Sequence, residues 1–363
     1  MNILAFESSC DETSASVVFT DGEKFNVKSN IIASQIEIHK LYGGVVPEIA
    51  SRAHTEAISR ITYEALEEAE LALSDIDLVA VTARPGLIGA LLVGVNFAKG
   101  LAIANKIPLV AVDHIKGHIA STYLIEDAPR PPFIALAASG GHTSIYRVDS
   151  YAEIFEIGST RDDAIGESFD KIGRIIGIPY PAGKGFDALA VKGFERATEL
   201  SIETPGIYAK YKKSDAYKNP EMALPSPALN DGSLDFSFSG LKTASINLLH
   251  KYEQKGEEID KELFAARYTY EAVEAVAKKV AAALEKNEGY ALAISGGVAA
   301  NSHLRRRLSE IALTYKTNIY IPPISLCGDN AAMIAAAGYF EYKNGLISHS
   351  SLNASALDSI RSN

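Results

Sequence analysis

Two histidines four residues apart, His114 and His118 in the stretch AVDHIKGHIAS, are well suited to holding a metal ion. On a helix this spacing brings two side chains within roughly 5–6 Å of each other, close enough to share one ion. The alternative is a coincidental pair on a solvated helix face, so a third ligand is needed. Asp329, in ISLCGDNAAMIAAAG, stands at a predicted helix start, where capping is the usual role of aspartate. Together the three residues form a set of two histidines and one carboxylate, the facial arrangement that non-haem iron(II) favours.

Two glycine-containing loops follow predicted strands and are suited to binding phosphate. Residues 139–143, Ser-Gly-Gly-His-Thr, offer backbone N–H groups that no Cβ crowds. Gly296 and Gly297 open into a predicted helix that carries Asn301, and this directs a helix N-terminus at an anion. A Ser-Gly-Gly sequence alone is equally compatible with an ordinary hairpin turn.

A carboxylate-rich segment, RDDAIGESFDKIGRIIGIPYPAGKGFD, lies between these two loops. Its acidic residues from Asp162 to Glu167 are compatible with an exposed helix face. Asp170 and Asp187 are better candidates for a site, because each stands beside glycine where a helix or loop turns inward. Acidic residues in dinucleotide-binding folds contact ribose hydroxyls, so we expect Asp170 and Asp187 to face a nucleotide.

The elements that must position these residues alternate in the manner of an α/β fold. NILAF and SASVVFT predict two strands joined by the polar turn ESSCDET, and FIALAASGGHTSIYRV repeats this strand–turn–strand pattern. A third such strand leads into a helix at YALAISGGVAANSHLRRRL. The proline cluster APRPPF, residues 128–133, is the predicted hinge. The repetition predicts a duplicated fold with two lobes around a cleft.

The length and composition of the chain indicate a folded protein of two domains. A chain of 363 residues with 47% hydrophobic content is typical of a folded enzyme and favours two domains. Its two cysteines, Cys10 and Cys327, are far apart, which argues against a disulfide framework or a zinc knuckle. The N-terminus shows no targeting pattern, and we expect no stretch to reach the roughly 18–20 apolar residues of a membrane-spanning helix. The sequence therefore predicts a cytoplasmic protein that binds no membrane.

The formal net charge of −10 argues against nonspecific nucleic-acid binding by the whole surface but leaves room for local basic patches. One candidate patch is Arg305–Arg307, for which the alternative is solvation of an exposed helix face. A second is Lys210–Lys213, in an insertion near residues 201–235 where lysines alternate with tyrosines, and Arg84 is a third basic candidate. A solvated surface loop is the favoured interpretation of this insertion.

Eight stretches resemble, in order and spacing, the TsaD family: FESSCDETSASVV, GGVVPEIASRAH, DHIKGHIAS, SGGHTS, ESFDKIGRIIGIPYP, DFSFSGLKTA, SGGVAANSHLR and CGDNAAMIAAAG. Members of this family are tRNA N6-adenosine threonylcarbamoyltransferases, and the resemblance extends from about residue 2 to residue 345. It implies a two-lobed α/β fold like that of actin, sugar kinases and Hsp70, with a central nucleotide cleft. We expect an N-terminal lobe over residues 1–131, with a helix at 329–345 packing back on it, and a C-terminal lobe over residues 132–328.

The resemblance also implies ligands and contacts. It assigns one divalent metal ion per subunit to His114, His118 and Asp329, with iron(II) favoured and zinc as the second candidate. The implied substrate contacts are Ala137, Ala138, Ser139, Gly140, Gly141, Asp170, Gly183, Asp187 and Asn301. No catalytic residue is assigned.

The roles of four residues stay open under this resemblance. Asp11 and Glu12, in the first loop, are compatible with orienting water, with accepting a proton or with a plain surface turn. Arg84 and Ala182 each stand where the family usually has glycine. Because Ala182 lies beside Gly183, it is expected to tighten the substrate loop.

The implied reaction moves a threonylcarbamoyl group from threonylcarbamoyl-AMP to the N6 of a tRNA adenosine, and the implied partners are a TsaB-like paralogue and a TsaE-like ATPase. Two other classes remain open. A kinase or ATPase of the same fold usually holds Mg²⁺ through oxygen ligands, which leaves the histidine pair unexplained. A metallopeptidase would explain a metal, but HIKGH lacks the glutamate that HExxH enzymes use as general base.

Overall fold

The computed structural model describes residues 1–227, 229, 231–357 and 360–362 and divides the chain into two compact units. The first unit contains Met1–Pro131, Val148–Phe155 and Pro322–Ser362. The second contains Pro132–Arg147 and Glu156–Ile321. The chain therefore first passes from one unit to the other inside the proline cluster, between Pro131 and Pro132.

The strands and helices alternate along the chain. The strands are β1 (Asn2–Glu7), β2 (Glu12–Thr20), β3 (Phe25–Ser34), β4 (Leu78–Arg84), β5 (Leu109–Asp113), β6 (Phe133–Ala138), β7 (Thr143–Val148), β8 (Ile154–Ser159), β9 (Ala291–Ser295), β10 (Ile319–Tyr320) and β11 (Arg361–Ser362). The helices are α1 (Ile36–His39), α2 (Pro47–Glu68), α3 (Ile88–Asn105), α4 (His114–Ala120), α5 (Ile165–Ile175), α6 (Gly183–Thr198), α7 (Ile207–Lys213), α8 (Asp215–Lys218), α9 (Ser239–Lys255), α10 (Lys261–Lys286), α11 (Ser302–Thr314) and α12 (Ala331–Lys343).

The sheet of the first unit has the strand order β3-β2-β1-β4-β5. β1 runs antiparallel to β2 and parallel to β4, and β4 runs parallel to β5. Because β1, β4 and β5 are parallel neighbours, their carboxyl ends lie at the same edge of the sheet. Glu7 and Asp113, which end β1 and β5, and Thr82, near the end of β4, are thereby brought to the place where ligands bind in open α/β sheets.

Helices cover both faces of this sheet. Val79 and Val81 of β4 point into a core that also contains Ile61 of α2 and Val95 of α3. The intervening Ala80 points to the other face, as the two-residue period of a strand requires, and packs against α12. A Cβ at Gly338 of α12 would lie 2.6 Å from the Cβ of Ala80, so a glycine is needed for this close approach.

Helix α3 corrects one expectation. Its 18 residues have a mean hydropathy of 1.5, long and apolar enough to cross a membrane by length and composition. The expectation that no stretch reaches this length was therefore wrong. Leu91, Val95 and Ala98 of α3 are buried within the first unit. A helix that packs into a protein core meets the same criterion, so one such helix is weak evidence for a membrane span.

The sheet of the second unit contains neighbouring strands in the order β10-β9-β6-β7-β8. This repeats the order β5-β4-β1-β2-β3 of the first unit, as the repeated strand–turn–strand pattern of the sequence predicts. β6 and β9 are parallel, with Ala137 opposite Ser295. The two glycine loops that follow these strands therefore begin at the same edge of the sheet.

The insertion near residues 201–235 is not the solvated loop that we expected. It contains α7 and α8, and Tyr208 and Tyr211 of α7 are buried. The ring of Tyr211 stacks on Phe194 with centroids 3.9 Å apart, and the Arg267 guanidinium lies 3.9 Å from the centroid of the Tyr217 ring. The tyrosines therefore anchor the insertion, and Lys210, Lys212 and Lys213 of α7 are exposed.

Candidate functional site

The histidine pair is positioned by the junction of β5 and α4. Asp113 ends the strand and caps the helix, since its carboxylate accepts a hydrogen bond from Ile115 N at 2.9 Å. His114 and His118 follow one helical turn apart, both buried, with ring centroids 4.5 Å from each other. The prediction that His114 and His118 share one face of a helix is thus confirmed.

Asp329 does not cap α12. Asn330 occupies the N-cap position and accepts a hydrogen bond from Met333 N at 3.1 Å. This places Asp329 one residue before the cap, where its Oδ1 lies 3.2 Å from His118 Nε2 and 3.6 Å from His114 Nε2. One potential ligand atom from each of the three residues lies within 4.8 Å of the other two.

The chemistry of this set fits a divalent metal ion. The side chain of His118 is buried, yet neither ring nitrogen makes a hydrogen bond to a described residue; Nε2 has only the Asp329 oxygen 3.2 Å away. A buried polar group without a hydrogen bond is costly. Burial and the nearby carboxylates of Asp329 and Asp11 raise the pKa of Glu12 to about 10. A bound cation would satisfy the histidine and relieve the repulsion among these carboxylates.

Sequence reasoning missed Glu7. It ends β1, is fully buried, and its Oε2 lies 3.0 Å from His114 Nδ1. Burial lowers the pKa of His114, but the carboxylates of Glu7 and Asp329 outweigh this effect and raise it to about 9. Burial raises the pKa of Glu7, and the His114 charge more than offsets it, so the pKa is lowered overall. A charged residue directly after the apolar run NILAF was the available signal.

In the second unit, the loop after β6 packs against α5 and against the loop after β9. A Cβ at Gly166, in α5, would lie 2.6 Å from the Ser139 carbonyl oxygen. Gly296 has a φ of +87°, and a Cβ there would lie 2.3 Å from the Ala138 carbonyl oxygen. Gly140 and Gly141, by contrast, face open space. The backbone of residues 137–141 is therefore packed on one side and accessible on the other.

Asp170 holds the neighbouring turn. Its carboxylate accepts a hydrogen bond from Ala182 N at 2.7 Å. The methyl group of Ala182 is buried, and Gly173 of α5 leaves the space it needs. Gly183, the first residue of α6, faces open space. Gly173 of α5 thus accommodates the methyl group at position 182, and Gly183 stays uncovered.

Asp187 and Asn301 both stabilise the start of α11. Asp187 accepts hydrogen bonds from Ser302 N at 3.2 Å and from Ser302 Oγ at 3.0 Å. Burial raises the pKa of Asp187 despite these hydrogen bonds. Asn301 is the N-cap residue and accepts a hydrogen bond from Leu304 N at 2.8 Å. All nine predicted substrate contacts therefore lie in the second unit, and the side chains of four of them, Ser139, Asp170, Asp187 and Asn301, already accept hydrogen bonds from its backbone.

The arginine triplet beside Asn301 makes internal contacts. Arg305 Nε donates to the Ala299 carbonyl oxygen at 2.5 Å, and Arg306 lies 3.4 Å from Glu310. Arg307 pairs with Glu274, and its guanidinium lies 5.5 Å from the centroid of the Tyr208 ring. Arg306 thus pairs within α11, whereas Arg307 joins α11 to Glu274 of α10, so part of the positive charge of the triplet is already paired.

The comparisons with known proteins agree on one family. The model of the TsaD family, described as tRNA N6-adenosine threonylcarbamoyltransferase, matches residues 26–336. A relative of that name from Clostridium botulinum (strain 657 / Type Ba4) is 45% identical over 354 residues, covering 98% of this chain and 96% of the relative. Another of that name, from Clostridium perfringens (strain SM101 / Type A), is 46% identical over 97% of this chain and 96% of its own length.

Solved structures show the fold alone. HypF from T. kodakarensis is 14% identical with a TM-score of 0.53, covering 95% of this chain and 48% of that one. Full-length HypF in a phosphate- and nucleotide-bound form is 17% identical with a TM-score of 0.51, covering 98% of this chain and 47% of that one. The predicted actin/sugar-kinase/Hsp70-like fold class is confirmed. On the match of its family model and of full-length relatives, this chain belongs to the TsaD family.

Proposed function

We propose that this chain transfers the threonylcarbamoyl group of threonylcarbamoyl-AMP to N6 of the adenosine immediately 3′ of the anticodon in tRNAs that read codons beginning with A. The products are N6-threonylcarbamoyladenosine in the tRNA and free AMP. The observation that carries the proposal is the 45% identity, over 98% of the chain, to a relative named for this transfer. The His-His-Asp set and the open glycine loops agree with it.

The metal is proposed to be one divalent ion per subunit, held by His114, His118 and Asp329. Iron(II) is the first candidate, because two imidazoles and one carboxylate leave coordination positions open for a substrate. Zinc is the second candidate, since it accepts the same three ligands. When bound, the ion supplies Lewis acidity that stabilises negative charge on substrate oxygens.

The reaction places two demands on the chain. Threonylcarbamoyl-AMP is a mixed anhydride with an electrophilic carbamoyl carbon, whereas the N6 amine is a poor nucleophile because its lone pair is delocalised into the ring. Catalysis therefore depends on holding the two groups in contact and on stabilising charge as AMP leaves. Backbone N–H groups at Gly140 and Gly141, on the accessible side of their loop, are suited to the second task.

The adenylate site is proposed to comprise Ala137, Ala138, Ser139, Gly140, Gly141, Asp170, Gly183, Asp187 and Asn301. Asp170 and Asp187 contribute by fixing the backbone of the loops that carry the glycines. We therefore expect Asp187→Ala to raise the KM for threonylcarbamoyl-AMP more than it lowers kcat. Unchanged adenylate affinity in both Asp170→Ala and Asp187→Ala would assign the ligand to other residues.

The tRNA is proposed to contact the lysines of α7. Lys210, Lys212 and Lys213 are exposed, and none forms an ion pair with a described residue, unlike Arg306 and Arg307. Their helix is anchored by buried tyrosines, so the charges are held on a fixed face. Unpaired cations on a chain of net charge −10 are the groups best suited to phosphate.

The test of this contact is a salt series of tRNA affinity. Changing the three α7 lysines to alanine should weaken binding and lower the slope of log affinity against log salt by about 2. Three exposed lysines elsewhere in the second unit, Lys192, Lys251 and Lys286, form the matched control. Equal effects of the two triple variants would show that α7 is not a specific contact.

The chain is also proposed to work in the cytoplasm with a TsaB-like paralogue and a TsaE-like ATPase, and its two units to correspond to the two lobes expected from the sequence. A partner would supply part of the basic surface that this acidic chain lacks. Full turnover of tRNA by the isolated chain would contradict the partner requirement.

The function is tested by incubating the protein and its partners with threonylcarbamoyl-AMP and tRNA, with modified adenosine measured by mass spectrometry. We expect AMP release that depends on tRNA and on bound metal. His114→Ala and Asp329→Ala should lose both metal and transfer while remaining folded. Phosphate transfer from ATP to a small molecule, or metal-dependent peptide cleavage without tRNA modification, would favour the kinase or peptidase class instead.

A further inference from the structure

Glu7 is a buried carboxylate surrounded by hydrogen-bond donors. Its Oε1 accepts from Ser9 N at 2.5 Å, and its Oε2 accepts from Thr82 Oγ1 at 2.6 Å. Oε2 also lies 3.0 Å from Nδ1 of His114, and the Ser9 hydroxyl, which can accept from the same nitrogen, lies 3.2 Å from it. Nε2 of the ring lies 3.6 Å from Asp329 Oδ1. One edge of the His114 ring therefore meets Glu7, and the other meets the proposed metal ligands.

We propose that Glu7 is a positioning residue that fixes His114 in the Nδ1–H form and so leaves Nε2 available to bind the metal ion. An ionised carboxylate can only accept hydrogen bonds, so the hydrogen shared with His114 must be on Nδ1. A metal ion binds a ring nitrogen only when that nitrogen carries no hydrogen, so the ion takes the ring form whose single hydrogen is on Nδ1 and whose lone pair is on Nε2. A carboxylate behind a metal-binding histidine also fixes the ring and makes it a stronger ligand. The inference depends on the metal site proposed above.

The position of Glu7 in the fold makes this contact rigid. Glu7 ends β1, Thr82 lies near the end of β4, and His114 follows β5, which are three neighbouring parallel strands. The carboxylate is therefore held by the sheet itself. Neither nitrogen of His118 has a hydrogen-bond partner among the described residues, so Glu7 positions only one of the two histidines.

The sharpest test is Glu7→Gln, because the surrounding donors allow the new side-chain amide only one orientation. The amide oxygen must remain at Oε1 to accept from Ser9 N, because the amide nitrogen there would face another donor. The amide nitrogen then faces Thr82 and His114 and donates to Nδ1, which moves the ring hydrogen to Nε2. We expect roughly 10–100-fold weaker Co²⁺ binding by the metal-free protein, with a changed visible spectrum of the Co²⁺ form.

Thr82→Val is the matched control, because it removes a hydrogen bond to the same carboxylate without changing what faces His114. Its Co²⁺ affinity should stay within about threefold of the unaltered protein, against the larger loss expected for the Gln variant. Equal losses in both variants, or unchanged affinity and spectrum in Glu7→Gln, would overturn the proposal. Melting curves of the metal-free proteins show whether each variant is folded.

A measurement on the unaltered protein avoids the question of folding. Long-range ¹⁵N–¹H spectra of the Zn²⁺ form, with ¹⁵N-labelled histidine, identify which His114 nitrogen carries hydrogen. Hydrogen on Nδ1 is expected, and metal coordination through Nδ1 would overturn the inference. Transfer to tRNA is assayed on the same sample. Metal binding without transfer would contradict the proposed function and leave the role of Glu7 standing.

Discussion

The metal site of the first unit and the loops of the second differ in how their polar groups are satisfied. His118 has no hydrogen-bond partner among the described residues, and the helix cap that was the alternative role for Asp329 is made by Asn330. In the second unit, Asp187 and Asn301 already accept hydrogen bonds from the start of α11. The first site is thus incomplete without a ligand, whereas the second is a preformed backbone scaffold. Side-chain changes should therefore act on ligation in the first unit and on loop shape in the second.

The largest expected effect is loss of the metal. His118→Ala removes a buried ligand that makes no hydrogen bond to a described residue, so we expect metal content near background and transfer reduced at least about 100-fold. Metal analysis and the tRNA assay measure both. His303→Ala removes an equally buried histidine from the second unit and should keep the metal. Equal metal loss in this control would show that general destabilisation, not ligation, explains the result.

The loop scaffold is tested by a pair of adjacent glycines. Gly296→Ala forces a side chain onto a φ of +87° and into the Ala138 carbonyl, so we expect destabilisation of about 2–4 kcal/mol in urea unfolding. Gly297→Ala adds its methyl to open space and should change stability by less than about 1 kcal/mol. If Gly297→Ala weakens adenylate binding at unchanged stability, the open side of the loops is the binding side. The opposite ranking of stabilities would contradict the scaffold interpretation.

A smaller expected effect is on the pH dependence of stability, and it comes from His303 of the second unit. Burial lowers the pKa of His303 to about 3 from an ordinary value of 6.5, so the folded protein keeps the ring neutral while the unfolded chain takes up a proton. Its contribution to stability is full above about pH 6.5 and falls as the pH drops, by up to about 1.4 kcal/mol per pH unit. We expect the free energy of unfolding of His303→Phe to fall less steeply between pH 6.5 and 5. Parallel curves for the two proteins would show that His303 does not titrate on unfolding.

The sequence was sufficient for the parts of the site that depend on local spacing. His114 and His118 share a helix face because of a helical period, and the glycine loops follow strands whose apolar runs are visible in the letters. The contact of Glu7 with His114 was not predictable in this way, because it depends on which strands are neighbours. The tyrosines of the insertion were misjudged for a related reason. Their partners lie outside the insertion, Phe194 on α6 before it and Arg267 on α10 after it.

The smallest expected effect concerns the departure from the family at position 182. Ala182 has a negative φ and a buried methyl group that fits against Gly173, so Ala182→Gly removes packing and adds backbone freedom. We expect a loss of about 1 kcal/mol in the free energy of unfolding. Adenylate affinity should not change, because Asp170 bonds to the backbone N–H of residue 182, which glycine retains. A marked gain in adenylate affinity would instead show that the methyl group tightens the substrate loop, and the scaffold of the second unit would then be less rigid than the hydrogen bonds indicate.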